Sequence, residues 1–174
     1  RQKDTLTSKA LAFTILTVTR TSEARGATRK EIDDKAKAWI IPENRMKTER
    51  EHRIPLSVEA LKILQEMEPF KRHTDDLIFP GLAQAKPISD ASLLKLVKQT
   101  HPTLTVHGFR SSFRDWCAEQ TNYPREVAEA ALAHVIKDKT EAAYQRGDMF
   151  EKRRKLMDSW ADYCLNDKNM ADVV

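Results

Sequence analysis

The sequence predicts a mainly α fold with a small antiparallel β-sheet, an α+β chain. Three observations lead there. Apolar residues recur three and four apart in stretch after stretch, the period of a helix with one buried face. Only two short runs, Ala38–Pro42 and Glu51–Leu56, read as strands, and the polar segment between them has the length and composition of a hairpin. The 4 glycines and 7 prolines are too few for a low-complexity or disordered chain.

Bulk properties set the frame. With 174 residues, 40% of them hydrophobic, the chain can form one globular domain with its own core. A net charge of +4 suits an acidic partner such as nucleic acid without requiring one. Cys117 and Cys164 form no CxxC pair and read as buried thiols in a reducing compartment. No stretch has transmembrane length, and the N-terminus has no signal-peptide pattern. The first residue is Arg1 rather than methionine, and the chain is expected to be a piece of a longer protein.

In chain order, a polar lead-in to Thr7 precedes a helix from Ser8 to about Thr19, with Leu11, Ile15 and Val18 at helical spacing. Thr21 or Ser22 is expected to cap a short helix through Glu23 to Thr28, which puts Arg20 in a tight connection suited to presenting a side chain. Lys47 lies near the tip of the hairpin Glu43–Arg50, and Pro55 marks a sheet edge or strand end. Ser57 caps a helix to about Met67, with Val58, Leu61 and Leu64 inward. Leu77–Phe79 is a short buried segment stopped by Pro80-Gly81. Ser89 or Asp90 opens a helix through Gln99, buried by Leu93, Leu94 and Val97.

The second half carries more chemistry. On a helix from His107 to Glu119, about 100° per residue puts Phe109, Phe113 and Trp116 in one sector and His107, Arg110 and Arg114 in another. His107 and Arg110, three apart, can meet one phosphate. Pro124 starts a helix whose small-residue stripe Val127, Ala130 and Ala131 ends at His134. Thr140 is expected to cap a short helix bearing Tyr144. The last helix, from Met149 to Leu165, buries Phe150, Met157, Trp160 and Cys164, while Glu151–Lys155 supplies exposed charges. Residues 167–174 are expected to form a flexible tail. Taken singly, each of these polar residues has an ordinary reading as a solvated charge or a hydrogen-bonded core group.

Taken in order, Thr17-Val-Thr-Arg20-Thr-Ser-Glu23 with Ile32-Asp33, then Arg45-Met-Lys47, His107-Gly-Phe-Arg110, Leu132-Ala-His134 and Tyr144 resemble the boxes of the tyrosine recombinases. Within that family the pattern is most similar to the integrases of temperate phages and genomic islands. It spans about Ser8 to Asp162. Val18 stands where the first box usually has glycine, and Gly108 where an acidic residue is common after the histidine.

The resemblance implies the integrase catalytic-core fold over residues 1–174 as a single domain, without the core-binding and arm-binding domains that precede it in such enzymes. It implies cleavage and rejoining of DNA through a 3′-phosphotyrosine on Tyr144, to integrate or excise a prophage or genomic island. A phosphodiester transition state gathers charge on its non-bridging oxygens, and the planar forks of Arg20 and Arg110 suit it. His134 would donate a further hydrogen bond, and Lys47 would be the acid for the departing oxygen. His107 is the candidate base, because an imidazole changes protonation near neutral pH. Glu23 would position Arg20 or another member of the site rather than touch DNA. Arg114 and Arg146 are candidates for DNA-backbone contact.

The implied partners are double-stranded DNA attachment sites, sister protomers in a tetramer, and DNA-bending host factors. No membrane, cofactor or metal is expected, and the setting would be the cytoplasm of a bacterial host. Three other readings share these features: a DNA-binding relative that does not cut, a type IB topoisomerase-like or telomere-resolving strand transferase, and a helical interaction domain with a basic surface.

Overall fold

The computed structural model describes residues 5–70, 76–81, 86–134 and 147–166. Its helices are α1 (Leu6–Leu16), α2 (Thr21–Arg25), α3 (Val58–Met67), α4 (Asp90–Thr100), α5 (Gly108–Gln120), α6 (Arg125–Ala131) and α7 (Phe150–Leu165). Strands β1 (Ile32–Asp33), β2 (Ala38–Ile41) and β3 (His52–Pro55) form an antiparallel sheet in the order β1-β2-β3. The expected fold class is therefore the observed one. The expected hairpin pairs in the register Ile41↔His52 to Ala38↔Pro55, and Ile32-Asp33 adds a third strand that the sequence reading did not anticipate. Among the described residues no helix is long and apolar enough to cross a membrane.

Helix α1 separates two packed cores. On one side the Phe13 ring packs at a tilt against Trp39 at 5.3 Å and Phe79 at 5.4 Å, joining α1 to the sheet and to the segment before α4. On the other side Phe113, Trp116 and Trp160 bring α5 and α7 together, with Phe113 edge-on to Trp160 at 5.2 Å. Ile15 packs against both cores, and its carbonyl accepts from Trp160 Nε1 at 2.9 Å. Aromatic side chains bury the largest areas per residue, so this arrangement fixes how the halves meet across α1.

Several boundaries differ from the sequence reading for identifiable reasons. Helix α1 starts earlier than Ser8, because Thr5 and Ser8 make a reciprocal capping box. It stops at Leu16, where Thr17 closes the last turn and Val18 takes a left-handed φ of 49°. Neither Thr21 nor Ser22 caps α2: the Glu23 carboxylate accepts from the Arg20 backbone N–H at 2.7 Å instead. Ser57 and Ser89 do cap α3 and α4. Val58, expected inward, is 58% exposed in the first turn of α3, and Leu94 is only partly covered. Pro124 precedes α6 rather than entering it. Arg153, expected among the exposed charges of the last helix, is 1% exposed. The expected cap at Thr140, the helix expected to bear Tyr144 and the expected 167–174 tail lie outside the described residues.

Phe13→Ala is expected to cost about 3–5 kcal/mol, because it removes the ring shared by Trp39 and Phe79 and leaves a cavity. Urea unfolding followed by tryptophan fluorescence should show a lower midpoint with an unchanged slope.

Candidate active site

The site is built around Arg110, in the first turn of α5. Periodicity placed it on an exposed cationic face with His107 and Arg114, yet it is 7% exposed. The reason lies far away in sequence. Arg110 Nη1 donates to the Val18 carbonyl in the connection after α1, and Nη2 donates to the Leu132 carbonyl after α6 at 2.7 Å. Two main-chain acceptors thus draw the guanidinium inward. Burial, then the nearby Arg20 charge, bring its pKa down to about 10 against the opposing pull of Glu23. It remains a cation at neutral pH.

Arg20 stands beside it at the start of α2. Glu23, nearly fully buried, accepts from Arg20 Nη1 at 2.8 Å with one oxygen and from the Arg20 N–H with the other. A carboxylate that grips both the side chain and the backbone of one arginine fixes where that guanidinium points. Of the two partners open to Glu23, Arg20 or another member of the site, the contacts are with Arg20.

The remaining sites are placed less tightly. The chain turns sharply after α6 through Ala133, at φ 51°, and this takes His134 off the helix stripe on which periodicity set it. His134 is 38% exposed and its Nδ1 lies 2.6 Å from Glu129 Oε2. It sits two residues from the carbonyl that Arg110 holds. His107 is exposed at the N-terminal boundary of α5, and Lys47 is exposed in the hairpin just after buried Met46. Among the described residues no hydrogen bond holds either side chain against the Arg20–Arg110 pair. Arg114 is exposed, 3.9 Å from Asp115. Tyr144 and Arg146 lie outside the described residues.

Sequence reasoning missed the groups that tie these pieces together. His52, half-buried at the start of β3, bonds the Ala131 backbone and faces Arg153, Arg110 and Arg20. Burial first, and those three charges with it, push its pKa down to about 4, despite the bond to Ala131. Next to it, the Arg53 carbonyl accepts from Arg153 Nη1 at 2.5 Å, while Arg153 Nε donates to the Asp148 carbonyl at 2.6 Å. Strand β3 is thereby joined to the end of α6 and to the start of α7. Arg45 joins the hairpin to Glu31 and to the Glu23 carbonyl. The sequence hints at these links only through the polar hairpin and the Arg45-Met-Lys47 box within it. Cys117 and Cys164 are both free, with thiols raised to about 12 by burial.

Chemically, the arrangement offers two permanent cations on fixed supports, with an imidazole from the α6 turn nearby. That is a binding set for a tetrahedral oxyanion such as a phosphodiester.

Comparison with known proteins gives a consistent picture. The sequence pattern described as "Phage integrase family" matches residues 2–150. The prophage integrase IntA of Escherichia coli (strain K12) is 39% identical over 151 residues, 85% of this chain and 36% of that protein. The integrase of Enterobacteria phage P4 is 28% identical over 182 residues, 94% of this chain and 41% of that protein. The chain thus spans less than half the length of these curated relatives. Among solved structures, the integrase of transposon Tn1549, in complex with a circular intermediate DNA, superposes with a TM-score of 0.51 at 16% identity. That match covers 80% of this chain and 58% of the other, and it shows a shared fold.

The His52 environment predicts an acid-sensitive fold. Its folded pKa of about 4 lies below the ordinary 6.5, so between those values the unfolded chain binds the extra proton. This contribution is complete above pH 6.5 and is lost as pH falls toward 4. The groups facing it, Arg153, Arg110 and Arg20, are all guanidiniums. Going from pH 7 to pH 5 should cost up to about 2 kcal/mol through this residue, a drop of roughly 4–8 °C in Tm. His52→Gln should show a smaller drop, and an equal drop in both proteins would refute the assignment.

Proposed function

Because the chain belongs to the phage integrase family, we propose that it is the catalytic domain of a tyrosine-type site-specific DNA recombinase. The observation that carries this reading is the fixed pair Arg20 and Arg110, one gripped by Glu23 and the other by the Val18 and Leu132 carbonyls. Such a pair suits the non-bridging oxygens of a phosphodiester, where charge accumulates as the reaction proceeds.

In the proposed reaction the Tyr144 hydroxyl oxygen attacks phosphorus and the bond to the 5′-oxygen breaks. The tyrosyl proton passes to His107, and the departing 5′-oxygen takes a proton from Lys47. The product is a 3′-phosphotyrosine and a free 5′-hydroxyl. A 5′-hydroxyl from another strand then reverses the same steps and reseals the DNA. The phosphodiester bond energy is kept in the covalent intermediate, so no nucleotide cofactor is consumed. His134 donates to the phosphate from the turn after α6. Because Arg20 and Arg110 supply the positive charge, the reaction is expected to proceed in EDTA.

The proposed substrates are double-stranded attachment sites of a prophage or genomic island, engaged by four protomers with DNA-bending host factors. The basic net charge supports binding to DNA and predicts steep weakening with salt. Arg114, exposed on α5, and Arg146 are proposed backbone contacts.

The test uses the full-length protein on nicked DNA carrying its own attachment core, in EDTA, read on a denaturing gel. A covalent protein–DNA adduct is expected, and Tyr144→Phe should abolish it. Arg20→Lys should slow its formation roughly 100-fold while leaving DNA binding nearly intact, since a single fixed donor contributes on that order. Tight, specific binding with no adduct would overturn the reading in favour of a relative that binds without cutting.

A further inference from the structure

The hairpin that presents Lys47 is held at its base by one guanidinium. After β2 the chain makes a tight turn over Glu43–Arg45, closed by Met46 N–H donating to the Glu43 carbonyl at 3.0 Å. Arg45 then reaches back across the sheet. Its Nη1 meets both oxygens of the Glu31 carboxylate, one at 2.5 Å, and its Nη2 donates to the Glu23 carbonyl at 2.6 Å. Glu31 is itself fixed, because Oε2 accepts from Trp39 Nε1 at 2.9 Å and from the Thr28 N–H at 3.3 Å. Glu23 is the residue whose side chain grips Arg20. One side chain therefore fastens the hairpin to the same short helix that orients Arg20.

Gly26 supplies an independent observation. Its φ of −88° is open to any residue, so backbone conformation does not require glycine there. Space does. A Cβ at this position would lie 2.7 Å from Arg45 Nη2 and 3.3 Å from the Ser22 carbonyl. The guanidinium lies in the volume that a side chain at position 26 would fill.

We propose that Arg45, seated over Gly26 and clamped by Glu31, is a positioning residue that sets where the hairpin delivers Lys47. The inference rests on the strand-transfer reading, in which Lys47 protonates the departing 5′-oxygen. Arg45 is committed to Glu31 and to the Glu23 carbonyl, so it acts through the residue two places further along the chain. The buried Met46 side chain between them anchors the intervening position.

The test compares two nicked substrates with the full-length protein, one with the ordinary bridging 5′-oxygen and one with sulfur in its place. A departing thiolate needs no proton, so the sulfur substrate bypasses the acid. On the oxygen substrate, Arg45→Met and Gly26→Ala should each slow adduct formation roughly tenfold, a part of what a general acid supplies. Gly26→Ala matters because it crowds Nη2 without changing any hairpin residue and is conformationally allowed. On the sulfur substrate both variants, and Lys47→Ala, should return to near the wild-type rate. The double variant Arg45→Met/Lys47→Ala should be no slower on oxygen than Lys47→Ala alone.

Equal slowing on both substrates, or additive losses in the double variant, would make Arg45 a purely structural residue and overturn the inference. If sulfur fails to rescue Lys47→Ala itself, the acid assignment of Lys47 falls, and the inference falls with it. If the wild type forms no adduct on either substrate, the strand-transfer reading is what has failed.

Discussion

The structure depends on the Arg110 fork. One buried guanidinium donates to the Val18 carbonyl after α1 and to the Leu132 carbonyl after α6. Burying a charge is expensive unless its donors are satisfied, and here part of its hydrogen-bonding capacity is met by main-chain acceptors. The same contacts satisfy two carbonyls at chain reversals, where regular secondary structure provides no partner. Elements from the beginning, middle and later part of the chain meet at this one side chain.

A second network supports the first from the sheet side. Trp39, Glu31, Arg45, Glu23 and Arg20 form a chain of hydrogen bonds running from the buried sheet to the start of α2. Charge-assisted bonds of this kind are stronger and more directional than neutral ones. His52 and Arg153 extend the linkage along β3 to α6 and α7. The outcome is a cationic site whose arginines are held by acceptors rather than by packing alone. Such preorganisation suits a reaction in which charge develops quickly on a ligand.

Much of the fold was legible in the sequence because it is local. The β2–β3 hairpin, the Ser57 and Ser89 caps and the aromatic face of α5 follow from period and capping chemistry within a few residues. What was not legible depends on distance in the chain. Arg110 reads as part of an exposed basic face until its carbonyl partners, 92 and 22 residues away, are known. Arg153 looks like any charge in a Lys/Arg run, yet its acceptor on Arg53 is 100 residues off. His134 was set on a helix stripe because period alone gives no warning of the left-handed turn at Ala133. Of the candidate site, Arg20, Glu23 and Arg110 lie together, whereas the couplings through Glu31 and His52 carry no motif, and the Arg45-Met-Lys47 box says nothing of the partners that Arg45 takes.

Because both described partners of Arg110 are carbonyl oxygens, what must be inherited is the path of the backbone, not the identity of the residues that line it. Every amino acid supplies the same oxygen. Position 18 carries valine where the first box usually has glycine, although a β-branched residue at φ 49° bears a conformational cost of about 1–2 kcal/mol. Ala133, at φ 51°, tolerates a smaller version of the same penalty. A site wired in this way can drift in its letters while its shape stands still. Descendants of such a chain would become unrecognisable to a pattern search well before they lost the architecture.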